Sequence, residues 1–218
     1  SVDEGVSEPV RWFHALEVLI NLGEQSEGPL RGHSAYVARL MRQLAERLDL
    51  PVDEVEALRL AGLIHDVGRP SGKHMTALAV TAVPTLKAQA QRAFRAPVRL
   101  FEEARLPRET RDALTQLYEC YGGDGFPRGA QGREIARGAR MLAIAESFAD
   151  LTLNDDNFIG HTLGPRAALD MLAERAHAVF DPSLLDVLRQ LVLDDSFERR
   201  AQSHGERLLV VDADTEDA

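Results

Sequence analysis

His65 and Asp66 stand side by side at the end of the apolar run LAGLIHDVGR. An ionised carboxylate there is costly to bury unless a cation or several hydrogen-bond donors compensate it. A metal ion is one such cation; a simple brace at a helix end is the other reading of the pair. Two further residues bear on the choice. His33, in GHSAYVARL, lies four residues before Val37, so one helical repeat turns both to the same inward face. Glu146, in RMLAIAESFADL, sits among Met141, Leu142, Ile144, Ala145 and Phe148, on a helix that must be at least half buried. Two imidazoles and two carboxylates drawn from three helices make a mixed nitrogen and oxygen site, suited to one divalent transition metal such as iron or manganese.

Helices must supply that convergence, and the periodicity is helical nearly everywhere. Residues 9–24 set Val10, Phe13, Leu16 and Ile20 on one stripe, the spacing of a core-facing helix. The segment GPLRGHSAYVARLMRQLAERLDL continues the pattern, with Val37, Leu40, Met41 and Leu44 on the apolar side and Arg39, Arg42 and Arg47 on the wet one. PVDEVEALRLAGLIHDVG opens on Pro51 and acidic residues and ends at Gly68, which are start and stop signals for a helix. Further helices are expected at 76–94, 97–106, 108–121, 136–153, 164–178 and 181–194, and only Leu208 to Val211 reads as a strand. The pattern predicts an all-α bundle with the glycine-rich segment 122–135 laid over it as a long loop.

Composition narrows the function. A chain of 218 residues can bury one sizeable core, and its single cysteine, Cys120, cannot form an internal disulfide, which fits a reducing, cytoplasmic setting. The net charge of -10 argues against binding a nucleic-acid polymer or an anionic membrane, so an anionic substrate would need a locally basic pocket. No apolar run approaches the roughly 20 residues needed to span a bilayer.

On the residues above, the chain resembles the HD-GYP family, helical domains of the HD superfamily that hydrolyse the bacterial messenger cyclic di-GMP. The likeness covers residues 15–190. His33 and the His65-Asp66 pair fall at the separation of the family's first histidine and its HD pair. GDGFPRGAQGREIARGARMLAIAESFADLT parallels the GYP loop and the helix after it, and FDPSLLDVL resembles the family's C-terminal helix entry. The resemblance implies an HD-superfamily bundle of about seven to nine helices. It implies metal ligation by His33, His65, Asp66 and Glu146, with Asp66 and Arg69 as the catalytic residues of an active member. It also implies a GYP-like loop, Gly123, Asp124, Gly125, Phe126 and Pro127, that meets a ligand or a signalling partner. The division expected is an N-terminal helix over 1–28, the domain over 29–198 and an extension over 199–218.

The departures from the family are grouped. Its proline-linked histidine appears as Ala96 before Pro97, and its adjacent histidine pair as Leu117 and Tyr118. The later aspartate becomes Glu146, the lysine after HD becomes Arg69, and a glutamate found in three-metal members becomes Pro29. Ligands for one metal therefore remain, while a second metal keeps only Asp66. A two-metal phosphodiesterase needs both ions to activate water and to stabilise charge on the phosphoryl and leaving oxygens. Two readings follow. The first is a degenerate signalling domain that regulates or binds a protein partner and senses cyclic di-GMP with impaired or absent cleavage, with or without a metal. The alternative is a mononuclear metal-dependent phosphohydrolase on His33, His65, Asp66 and Glu146.

The remaining residues are read more plainly. The loop either docks a partner or packs Phe126 on the bundle, and Arg128, Arg133, Arg137 and Arg140 either meet phosphates or form a solvated basic face. His74, in the junction after HD, either approaches the pocket or, as a histidine more commonly does, lies at the surface; Cys120 is a soft ligand or, more commonly for a lone cysteine, packing; Glu119 is expected in a local salt bridge and Asp150 as a reserve ligand. The tail RLLVVDADTEDA resembles the first strand and acidic entry of a receiver domain, or is an ordinary extension, and it suggests a piece of a longer signalling protein. Dimerisation suits a helical signalling domain, although no heptad seam is evident.

Overall fold

Helices α1 (Glu8–Gln25), α2 (His33–Arg47) and α3 (Val52–Ile64) form the first layer of the computed structural model, which describes residues 8–25, 32–69 and 74–194. α2 and α3 approach closely because Gly62 has no side chain: a Cβ there would lie 2.7 Å from Ala38 Cα. That approach sets the end of α3, and with it His65, against the start of α2, where His33 is the first helical residue. The exposed start of α2 is satisfied from α1, as Ser34 N–H donates to Glu24 Oε1 at 2.9 Å.

α4 (Ala77–Ala82), α5 (Pro84–Ala93) and α6 (Ala96–Leu100) are short, and the expected 76–94 helix divides at Val83, whose extended backbone leads into Pro84. α7 (Arg108–Thr115) packs on α3 and α8 (Arg137–Leu153), and α9 (Pro165–Ala173) and α10 (Pro182–Leu193) close the far side. Eight of these helices have eight or more residues, and no named strand occurs among the described residues, so the all-α expectation holds. The expected strand at 208–211, Pro29 and the 199–218 extension lie outside the described residues.

α8 is the axis of the molecule. It runs against α2, α3, α4, α7, α9 and α10, and its residues from Met141 to Leu151 are all buried. A helix enclosed on every side should be apolar on every side. Its buried Glu146, Ser147 and Asp150 break that rule, and they are where chemistry is to be sought.

The long loop is stitched down rather than free-standing. Glu119 accepts the N–H groups of Arg128 at 2.8 Å and Ala130 at 2.9 Å, and Phe126 N–H donates to Tyr118 O at 3.0 Å. Gly125 presses its backbone on residues 118–120, so that any Cβ would overlap Glu119 Cα and Tyr118 O. The Phe126 ring stacks on Tyr118 with centroids 5.1 Å apart and meets Phe94 edge-on at 5.9 Å.

Candidate metal centre

Four backbone elements bring the polar residues together. α3 ends at Ile64, and the turn after it carries His65, Asp66 and Arg69, with Val67 N–H bonded to Ile64 O and Arg69 N–H to Asp66 O. His33 enters from the start of α2, and Glu146 and Asp150 descend from successive turns of α8. His74 comes from the extended approach to α4, just before Thr76, whose hydroxyl caps that helix by accepting Ala79 N–H.

His33, His65, Asp66 and His74 form a donor group: one ligand atom from each lies within 4.8 Å of all the others. The ring centroids of His33 and His74 are 4.5 Å apart and those of His33 and His65 5.3 Å. The His65 Nδ1 lies 2.8 Å from Gly62 O and donates to it, which leaves the Nε2 lone pair turned inward. That Nε2, and both ring nitrogens of His33, are buried without a hydrogen-bond partner among the described residues. Buried imidazole nitrogens are normally satisfied, so this donor set fits a divalent cation.

Glu146 stands beside the group and is engaged elsewhere. Its Oε1 accepts from Arg69 Nη1 at 3.2 Å and lies 3.7 Å from His65 Nε2, while its Oε2 has no partner among the described residues. The same Arg69 Nη1 donates to Asp66 Oδ1 at 2.6 Å. The guanidinium lies over the Tyr118 ring, 5.3 Å from its centroid, and Tyr118 OH donates to Met75 O at 2.7 Å. Asp66, with 20% of its side chain exposed, is the most open member of the cluster.

The electrostatics follow from burial and this pairing. Burial takes His65 down to about 4, with Arg69 and His74 adding to the effect against Asp66, and burial holds His33 well below its ordinary value. Burial alone would raise Asp66, but His74, His65 and Arg69 outweigh it and hold the carboxyl well below its usual range. His74 is the reverse case: burial would lower it, and Asp66 and Asp150 hold it well above the ordinary value. Burial raises Glu146 to about 8 against the opposing charges of Arg69 and His74.

The expected residues fare unequally. The structure brings His33, His65 and Asp66 together, and Arg69 joins them by bridging Asp66 and Glu146. At the departed positions, Leu117 and Tyr118 are buried in the core, and Ala96 opens α6. Of the loop, Phe126 is packed inside while Asp124 and Pro127 are exposed. Two expectations are corrected. His74 is buried in the cluster rather than at the surface, because Asp66 and Asp150 both take hold of its ring. Glu119 is a clasp for the loop backbone, with no cation in its contacts among the described residues. Arg137 and Arg140 do not face the site: Arg137 donates to Glu54 at 2.7 Å, and Arg140 bonds Ile135 O and Asp181. Cys120 is buried as expected.

His74 lies outside regular structure, so no periodicity marked it. The available signal was on α8, where Glu146, Asp150 and Asn154 recur every four residues along an otherwise apolar surface and require buried donors opposite them.

Comparison with known proteins agrees with this architecture. The chain is 30% identical over 138 residues to 3'3'-cGAMP-specific phosphodiesterase 1 of Vibrio cholerae, an alignment that covers 55% of this chain and 28% of that protein. Among solved structures, a cyclic GMP-AMP specific phosphodiesterase of V. cholerae superposes with a TM-score of 0.64 at 21% identity, over 84% of this chain and 49% of the other. An HDG"Y"P protein from Bdellovibrio bacteriovorus superposes with a TM-score of 0.56 at 17% identity, over 73% of this chain and 51% of that one. The chain thus spans less than a third of the curated relative and about half of each solved chain. The family model described as "HD domain" matches residues 17–184, and with the His65-Asp66 pair at the centre of its polar cluster the chain belongs to the HD domain family.

Proposed function

We propose that this chain is an HD-GYP-type regulatory domain of cytoplasmic cyclic-dinucleotide signalling, with one divalent cation and with two-metal phosphodiester hydrolysis severely impaired or lost. The observation that carries this reading is the place of Arg69. Its guanidinium lies between Asp66 and Glu146 and over Tyr118, the residue at one of the departed histidine positions, so a fixed organic cation serves Asp66, the one ligand that a second metal would keep. His33, His65 and Asp66 are the residues that would hold the single cation, which when bound would supply Lewis-acid activation of water. The exposed edge of the GYP-like loop, at Asp124 and Pro127, is the surface offered to a signalling partner. The ligand class is a cyclic dinucleotide: the relatives in V. cholerae are named for cyclic GMP-AMP, and cyclic di-GMP shares the same phosphodiester ring.

The test is elemental analysis of protein expressed with supplemented metals, together with hydrolysis assays on 3'3'-cyclic GMP-AMP and cyclic di-GMP. The reading expects about one cation per chain and little or no turnover of either nucleotide. Two cations per chain with rapid turnover, abolished by Asp66→Ala, would overturn it.

A slow mononuclear phosphohydrolase is the second reading. Arg69 Nε and Nη2 are buried without partners among the described residues, and Asp66 is partly open. In that case Arg69 would bind a phosphoryl oxygen through those two nitrogens, while Asp66 orients the attacked group. Slow, metal-dependent hydrolysis lost in both Arg69→Ala and Asp66→Ala would favour it.

A further inference from the structure

We infer that His74 is the fourth ligand of the cation, presented through Nε2 and held in that form by Asp150 and Asn154, so that the centre contains three imidazoles and one carboxylate. The inference deepens the one-cation reading above and rests on it. The geometry is a relay from α8. Asn154 Nδ2 donates to Asp150 Oδ1 at 2.7 Å, and the same oxygen lies 3.0 Å from His74 Nδ1. A proton on Nδ1 satisfies that contact, and Nε2 shares a hydrogen with Asp66 Oδ2 at 2.5 Å, which is the proton a bound cation would displace. A carboxylate behind a histidine, fixing its tautomer and ring plane, is the arrangement by which proteins prepare an imidazole for metal ligation. All three members are buried, which makes the relay costly unless it is satisfied at both ends.

The same frame explains why Glu146 is left aside. It lies one helical turn before Asp150, but Arg69 holds its Oε1, and it stands 3.8 Å from His74 Nε2 without a hydrogen bond between them. An imidazole from outside regular structure takes the place expected for the α8 carboxylate. The donor set becomes nitrogen-rich, the chemistry preferred by zinc, cobalt and iron over magnesium or manganese.

Asp150 is a positioning residue, and the test must separate that role from stability alone. The wild-type protein is stripped of metal and loaded with Zn2+ or Co2+, and the imidazoles bound are counted by X-ray absorption. Three are expected, and 15N NMR of the zinc form should place the His74 proton on Nδ1. His74→Gln should lower the count to two and weaken Zn2+ binding at least about tenfold, and Asp150→Asn should weaken it about tenfold to a hundredfold while erasing the Nδ1–H signal. The wild-type count stands even where a variant does not fold. Two imidazoles in wild type, or unchanged affinity in a folded His74→Gln, overturn the inference and leave the one-cation reading intact. A wild-type protein that binds neither ion overturns that reading and this inference together.

Discussion

Arg69 lies over the ring of Tyr118, with its guanidinium carbon 5.3 Å from the ring centroid, and this pair couples two sequence departures that a linear reading treats separately. The arginine gains a flat partner only because the residue at 118 is aromatic. Its Nη1 then reaches Asp66 and Glu146 together, which a compact ammonium would do with less directional hydrogen bonding.

Arg69→Ala should therefore destabilise the protein by about 3 kcal/mol, because it leaves the Asp66 carboxylate without its guanidinium partner and the buried Glu146 Oε1 without a donor. Arg69→Lys should recover part of that loss, since it restores charge without the planar fork. Urea unfolding of the three proteins checks the order. Equal midpoints for wild type and Arg69→Ala would mean that His74 and His65 satisfy Asp66 without the arginine.

The loop offers an independent prediction. Glu119 satisfies two backbone N–H groups of the loop, at Arg128 and Ala130, and hydrogen bonds to an ionised acceptor contribute about 1.5–3 kcal/mol each. Glu119→Ala should cost about 3 kcal/mol and speed amide exchange at Arg128 and Ala130 well before it alters exchange in α8. Exchange that rises equally across the molecule would point to global destabilisation instead of release of the loop.

The fold was legible where period and boundary agree. α8 was bounded to within a residue, because its buried run is continuous from Met141 to Leu151. α4 and α5 were joined because Val83-Pro84 interrupts a segment whose apolar spacing carries across the break. Of the site, His33, His65 and Asp66 were legible from spacing on helices and helix ends, whereas His74 was not, since residues 74–76 lie outside regular structure and carry no periodicity. The close α2–α3 crossing was missed for a related reason: a glycine inside a helical pattern looks like a local weakness until its neighbour is known.

That crossing makes Gly62 a test of site geometry at a distance. A methyl group there must displace Ala38 or Met41, because its Cβ would lie 2.7 Å from Ala38 Cα and 3.1 Å from Met41 Cγ. Gly62→Ala should cost about 2 kcal/mol despite its better helix propensity, and it should weaken cation binding by spreading His33 from His65. Thermal unfolding and metal titration measure the two effects separately. A Gly62→Ala protein as stable as wild type would show that α2 and α3 can part without penalty.

Asp181 gives a prediction with a defined pH dependence. Its carboxylate accepts from Ser183 N at 2.9 Å to cap α10, and it also pairs with Arg140 of α8, tying two helices that share the core. Burial would raise its pKa, but Ser183 and Arg140 outweigh that effect and hold it below the ordinary 3.8. A lowered folded-state value means that the unfolded chain takes up the proton first as the solution is acidified. The stabilisation is therefore fully present above pH 3.8 and is lost as pH falls through the lower folded-state value. Asp181→Ala should cost about 2 kcal/mol at neutral pH, from the lost cap and the unpaired Arg140. The gap between wild type and variant in urea unfolding should hold steady down to pH 4 and narrow below it; a gap that widens with acid would show that the carboxylate is not ionised in the folded protein.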